Sequence, residues 1–119
     1  MFIQKLDDCT TIVAGDHTIL KEILHPDKAD LSIRYSLAHA MVPPGATSIP
    51  HKLVASEVYY ILSGEGRMHI DEEEKAVTTS DTVYIKPEAV QWIENTGADP
   101  LVFLCIVDPP WRAEGEMVV

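Results

Sequence analysis

The chain is short of three things: cysteine, positive charge and long apolar runs. Cys9 and Cys105 are the only cysteines, they form no C-x-x-C motif, and Cys105 lies in an apolar run. We therefore expect two thiols in a reducing compartment, with a disulfide as the alternative. Lys and Arg number 9 against 19 Asp and Glu, a formal net charge of −10. Such a surface repels phosphates and anionic lipids, so nucleic-acid and membrane partners are disfavoured.

No apolar segment approaches the length of a transmembrane helix. Residues 1–8 are too charged, and their apolar run is too short, for a signal peptide, so we expect a cytoplasmic protein. A length of 119 residues suits one domain with one core. The hydrophobic fraction of 46% predicts a folded chain rather than a disordered one.

Short β-branched or aromatic runs separated by turn residues are abundant. They predict strands at Phe2–Ile3, Thr10–Ala14, Leu31–Val42, Val58–Leu62, Arg67–Asp71, Ala76–Thr79, Thr82–Ile85, Val90–Glu94 and Leu101–Val107. The run His17–Leu24 is ambiguous, because its apolar residues recur at helical spacing after a plausible N-cap at Asp16, yet it is short for a helix. Many short strands with little helix predict an all-β sandwich or barrel.

The strand predicted at Leu31–Val42 has one bulky face and one small, more polar face. If the small face is the inner one, Arg34 and Ser36 reach the lumen of a barrel. If the bulky face with Ile33 and Tyr35 is inside, Arg34 is solvated. Alternation alone leaves both arrangements open.

Residues 45–66 organise the rest of the chain. His51 heads a short strand after Pro50, and Glu57 follows six positions later. On one straight strand the two would be about 20 Å apart, so a joint role requires the chain to reverse at Val54–Ser56. That segment carries no Gly or Pro, so its local turn signal is weak.

The spacing G-x5-H-x-L-x3-E-x6-G over residues 45–64 resembles the first motif of the cupin family, with Leu53 in place of the second histidine. Residues 80–95 resemble the second motif, G-x5-P-x-G-x2-H-x3-N. Asn95 is kept, and the departures from the family's Gly, Pro, Gly and His are Ser80, Lys86, Glu88 and Gln91.

The resemblance implies a double-stranded β-helix, or jelly-roll, barrel that is usually dimeric. It implies one domain over residues 1–119, with an N-terminal strand arm at about 1–30, the barrel at about 31–108 and a tail at 109–119. The strand arm favours a strand over a helix for residues 17–24. A homodimer would also cover exposed sheet edges.

The family's metal ligands fall, by position, on His51, Leu53, Glu57 and Gln91. Leu53 cannot ligate a metal, which leaves one imidazole, one carboxylate and one amide oxygen to hold Mn²⁺, Fe²⁺, Ni²⁺ or Zn²⁺. The alternative is a metal-free pocket in which Leu53 forms an apolar wall and Gln91 hydrogen-bonds to the ligand.

Three functions follow. The first is a small-molecule enzyme, metal-assisted or using His51 and Glu57 as acid and base, acting on a small carboxylate, sugar or diketone. The second is a non-catalytic small-molecule binding or sensor module, with Leu53, Tyr59 and Arg34 lining its pocket. The third is a structural or partner-binding β-domain whose lumen is filled by side chains.

Overall fold

A computed structural model describes all 119 residues, and the chain is built almost entirely from antiparallel strands. The eleven strands are β1 (Thr11–Val13), β2 (Ile19–Leu24), β3 (Ser36–Val42), β4 (His51–Leu53), β5 (Ser56–Ser63), β6 (Glu65–Ile70), β7 (Glu73–Thr78), β8 (Thr82–Ile85), β9 (Gln91–Asn95), β10 (Leu101–Asp108) and β11 (Glu116–Val118). The helices are two 3-10 turns, Leu6–Asp8 and Ala113–Gly115. Neither has the length or apolarity that crossing a bilayer requires.

The strands form two sheets. The six-stranded sheet has the order β1-β2-β3-β10-β5-β8, and the five-stranded sheet has the order β11-β4-β9-β6-β7. The chain crosses repeatedly from one sheet to the other, which is the winding of a jelly-roll barrel. The predicted all-β barrel is confirmed.

Burial alternates along the strands, so that the inner faces of both sheets meet in one core. In β10 the odd-numbered residues point inward, and Leu101 and Phe103 are fully buried. Tyr59 on the neighbouring strand packs against Phe103 with ring centroids 4.4 Å apart. A separate small cluster is formed by Leu53, Ala55 and Val107.

Strand β3 resolves the question of which face is inside. Ser36, Ala40 and Val42 are buried, whereas Leu37 and Met41 on the other face are only partly covered. The strand also begins later than predicted. Its last pairing with β10 is that of Ser36 with Val107, so residues 31–35 have no neighbouring strand to bond.

The N-terminal region is partly as predicted. The ambiguous run 17–24 contains a strand, β2 at Ile19–Leu24, rather than a helix, and Asp16 caps no helix. The strand predicted at Thr10–Ala14 is present as β1, which pairs with β2. Residues 2–3 form no strand, because no neighbouring strand is placed to pair with them.

The segment predicted as a tail contains a strand that borders the barrel. Glu116, Met117 and Val118 of β11 pair with Leu53, Lys52 and His51 of β4. On its other side β4 meets β9 only through the pair formed by His51 and Gln91. The C-terminal strand therefore lies directly beside the first motif.

Partly exposed apolar side chains cover the outside of the six-stranded sheet. They lie on the adjacent strands β3, β10 and β5, where Ile106 pairs with Leu37 and Leu104 pairs with Tyr60. We call this set the outer apolar face; its members are Leu37, Met41, Tyr60, Leu62, Leu104 and Ile106.

Candidate functional site

A cavity of about 170 Å³ lies between the two sheets, at the end where β4, β11 and the loop before β2 come together. It is lined by residues of both apolar clusters, Tyr59 from the main one and Leu53 from the small one. The lumen is therefore open at His51, which counts against the structural-domain hypothesis. The chain does reverse at residues 54–55, so that His51 and Glu57 line the same cavity.

Asp16 is held so that one of its oxygens faces the cavity. Its Oδ1 accepts hydrogen bonds from the Thr18 backbone N–H at 3.1 Å and from the Thr18 hydroxyl at 2.7 Å. Its Oδ2 lies 3.5 Å from His51 Nε2. The side chain is buried, so this carboxylate has little access to water.

His51 is oriented from behind by the backbone. Its Nδ1 lies 2.8 Å from the Ile49 carbonyl oxygen. A carbonyl can only accept, so Nδ1 carries a proton and donates it, and Nε2 is the nitrogen that faces Asp16. In the neutral imidazole this Nε2 presents a lone pair towards the cavity.

Glu116 brings a second carboxylate from β11. Its Oε2 lies over Gly15, 3.1 Å from where a Cβ would stand, so a side chain at residue 15 would crowd it. Burial raises the pKa of Glu116, and the charge of Asp16 raises it further. The candidate ligand atoms of Asp16, His51 and Glu116 all lie within 4.8 Å of one another.

Glu57 is buried in the same cavity, and its Oε1 has no hydrogen-bond partner. Burial raises the pKa of Glu57 to about 8, an effect that the Gln91 amide partly offsets and that the charges of Asp16 and Glu116 reinforce. At neutral pH this carboxyl group is therefore mostly protonated. A protonated carboxyl can donate a hydrogen bond as well as accept one.

Gln91 stands behind the cavity rather than in its lining. It is fully buried, and its Oε1 accepts a hydrogen bond from the Tyr59 hydroxyl at 3.0 Å. Burial raises the pKa of Tyr59 well above its usual range, so this phenol stays a donor. The Gln91 oxygen is thus already engaged within the protein.

The predicted site residues are only partly brought together. His51, Leu53, Glu57 and Tyr59 line the cavity. Arg34, predicted as a lining residue, is instead exposed in the segment before β3, because the strand that would carry it inward starts only at Ser36. The metal set of His51, Glu57 and Gln91 stays a prediction.

Sequence reasoning did not single out Asp16 or Glu116 as site residues. Asp16 carried a usable signal, because an Asp two positions before a Thr at a turn often accepts hydrogen bonds from that Thr. Glu116 carried none, because nothing in the sequence separates it from the neighbouring Glu114.

Comparison with known proteins agrees with this architecture. The family model of the cupin domain matches residues 38–107. An uncharacterized protein of Methanocaldococcus jannaschii is 40% identical over 109 residues, covering 91% of this chain and 86% of its own length. The oxalate-binding protein of Thermotoga maritima is 35% identical over 92 residues, covering 76% of this chain and 71% of its own.

The solved structure of a predicted oxalate decarboxylase from Thermotoga maritima superimposes with a TM-score of 0.79. It covers 91% of this chain and 99% of that one at 22% identity, a level at which the likeness concerns the fold alone. The family model spans more than half of the sequence, and it includes the strands that carry both motifs. The chain belongs to the cupin family.

Proposed function

We propose that the protein binds a small carboxylate in its lumen, with Glu57 as the group that grips the ligand. The observation that supports this is the unpartnered Oε1 of Glu57, buried in the wall of the cavity. A buried polar atom without a hydrogen-bond partner destabilises the protein, and a ligand oxygen that accepts a hydrogen bond from this carboxyl group would remove that penalty.

The size of the cavity and the name of a similar protein support the same class of ligand. A volume of about 170 Å³ suits a molecule of a few heavy atoms. The similar Thermotoga maritima protein is named for binding oxalate, a dicarboxylate of that size. We therefore propose oxalate or another small dicarboxylate as the first ligand to test.

The negative charges around the cavity call for a cation beside a carboxylate ligand. Asp16 and Glu116 place two carboxylates at the same mouth, and like charges repel strongly where water is scarce. A divalent cation between them would neutralise that charge and, when bound, polarise a ligand carboxylate. The proposed function therefore includes a divalent metal, Mn²⁺, Fe²⁺, Ni²⁺ or Zn²⁺, as cofactor.

Catalysis would use the same residues. A protonated Glu57 is suited to donate a proton to a bound ligand, and His51 faces the same space, so we keep the predicted acid–base pair as part of the proposal. The second candidate is a metal-free binding module. It is favoured by the buried Leu53, which walls the cavity, and by the engagement of Gln91 with Tyr59.

Calorimetric titration with oxalate tests the proposal, with oxamide as a neutral ligand of matched shape, each with added Mn²⁺ and with chelator. Affinity for oxalate is measured well below and well above pH 8, where Glu57 ionises. The other titratable groups that line the cavity with Glu57 are Asp16, Glu22, Lys28, His51, Tyr59, Cys105 and Glu116.

We expect oxalate to bind more weakly above pH 8 in the native protein, and Glu57→Gln to lose that pH dependence. The proposal fails if no small carboxylate binds with or without Mn²⁺. Binding of oxamide alone, in chelator, would favour the metal-free module. Loss of the oxalate signal over time by NMR distinguishes an enzyme from a binding protein.

A further inference from the structure

We propose that this chain holds a divalent transition metal with a ligand set of its own, made of Asp16, His51 and Glu116. Of the three, only His51 belongs to the cupin motifs. Asp16 comes from the loop before β2, and Glu116 comes from the C-terminal strand. The inference deepens the proposed function, since it rests on the same cavity, but it is tested by metal binding alone.

The family's own ligand positions do not fit a metal in this chain. Leu53 offers no atom that can ligate a metal, and the oxygen of Gln91 already accepts a hydrogen bond from the Tyr59 hydroxyl. Glu57 lines the cavity but lies outside the group of converging ligand atoms. Of four family positions, only His51 therefore presents a free donor to that group.

The three proposed ligands suit a divalent ion in charge and in geometry. Two carboxylates balance the charge of the ion, and one imidazole favours a first-row transition metal over Mg²⁺ or Ca²⁺. Ligand atoms around tetrahedral Zn²⁺ are roughly 3.4 Å apart, given bonds of about 2.1 Å. Here they lie within 4.8 Å of one another, so a closure of about an ångström would complete the site.

The ligands are also held in place from behind, as metal ligands usually are. The Ile49 carbonyl fixes the proton of His51 on Nδ1 and turns Nε2 towards the carboxylates. Both hydrogen bonds from Thr18 fall on Asp16 Oδ1, which leaves Oδ2 free to coordinate. Each of these two ligands thus directs its free donor atom at the same point.

A second observation, the unpartnered Glu57 carboxyl group, also points to a ligand in this cavity. His51 Nε2 and Asp16 Oδ2 face each other at 3.5 Å, which is longer than an ordinary N–H···O hydrogen bond. Glu57 Oε1, more than nine-tenths buried, is unpartnered in the wall of the same cavity. A metal ion with a bound water would satisfy both groups.

Calorimetry of the chelator-treated protein with Zn²⁺, and electron paramagnetic resonance with Mn²⁺, test the ligand set. The variants are Asp16→Asn and Glu116→Gln, which remove one charge each with little change in shape. Asp16→Asn retains the oxygen that Thr18 binds, so it should fold. Glu57→Gln probes the family position, and Glu73→Gln, exposed on β7, is the matched control.

We expect Asp16→Asn and Glu116→Gln each to weaken Zn²⁺ binding by about tenfold or more. Glu73→Gln should bind Zn²⁺ as the native protein does, and Glu57→Gln should lose less affinity than either ligand variant. Zn²⁺ should also shift the ¹⁵N resonance of His51 Nε2 and leave that of His69 unchanged. A general effect of Zn²⁺ on folding would instead shift the resonances of both histidines.

Two results would overturn the inference. If Glu57→Gln loses Zn²⁺ while Asp16→Asn keeps it, the metal sits at the family positions. If the folded native protein binds neither Zn²⁺ nor Mn²⁺, the three residues do not form a metal site. If oxalate binds in chelator and Zn²⁺ does not bind, this inference is wrong but the proposed carboxylate ligand is supported. If Zn²⁺ binds and no carboxylate does, the metal site is supported but the proposed ligand is wrong.

Discussion

The Tyr59 hydroxyl donates to Gln91 Oε1 at 3.0 Å, and this bond occupies the position where the second cupin motif has histidine. Both side chains are buried. The second motif therefore has a core hydrogen bond at the position of the family's histidine, and Gln91 offers no free oxygen to the cavity.

Removing that hydroxyl should destabilise the fold. Tyr59→Phe leaves the buried amide oxygen of Gln91 without its partner, and we expect a loss of about 1–3 kcal/mol in the free energy of unfolding. Urea denaturation measures this loss. Tyr60→Phe is the matched control, because Tyr60 is partly exposed on the outer apolar face and should change little. Equal stability of the two variants would show that the bond is weak.

The stability of the chelator-treated protein should fall as pH rises. The pKa of Glu57 is about 8 in the folded protein against 4.5 for an unburied glutamate, so the folded state binds more protons between these limits. The contribution is fully present below pH 4.5 and is lost as pH rises through 8, with a ceiling of a few kcal/mol.

Glu57→Gln should flatten this slope, as measured by thermal unfolding across the pH range. A smaller slope of the same sign should remain, because burial also raises the pKa of Glu116. Glu73→Gln should retain the native profile. A native protein that gains stability between neutral and alkaline pH would contradict the assignment.

Thr18 should act as a positioning residue for the metal. Thr18→Val keeps the shape but removes the hydroxyl that fixes Asp16 Oδ1, so the carboxylate gains freedom to rotate. We expect Zn²⁺ affinity to fall by about tenfold while the fold is retained. Thr78→Val on β7 is the control for loss of a threonine hydroxyl. A change in thermal stability with unchanged Zn²⁺ affinity would mean that Thr18 is only structural.

We expect the chain to form a homodimer through the outer apolar face. Contiguous apolar area of this kind usually marks a protein contact, and its members are aligned on three adjacent strands. Ile106→Arg should shift the sedimentation of the protein to that of a monomer. Val54→Arg, at an exposed apolar residue outside this face, should not. A native monomer at high concentration would refute the expectation.

The sequence predicted the barrel well, because its strands are short and each ends at a turn. The reversal between His51 and Glu57 followed from the motif spacing, since the intervening residues carry no turn signal. The site was harder to predict. Glu116 reaches it through the pairing of β11 with β4, and Asp16 through the loop before β2, where the Asp16 carbonyl oxygen accepts a hydrogen bond from the Ile49 N–H. Arg34 is kept out because residues 31–35 lack a partner strand. Such pairings have no local sequence pattern.

The placement of Glu116 on β11 has a consequence for the order of events in folding. Asp16 and Glu116 are 100 positions apart in sequence, so their meeting closes a long loop and is entropically late. A growing chain on the ribosome would hold His51 well before it held the complete ligand set. Metal uptake would then mark a barrel that has already added β11, and a stopped-flow signal from Co²⁺ should trail the formation of the core.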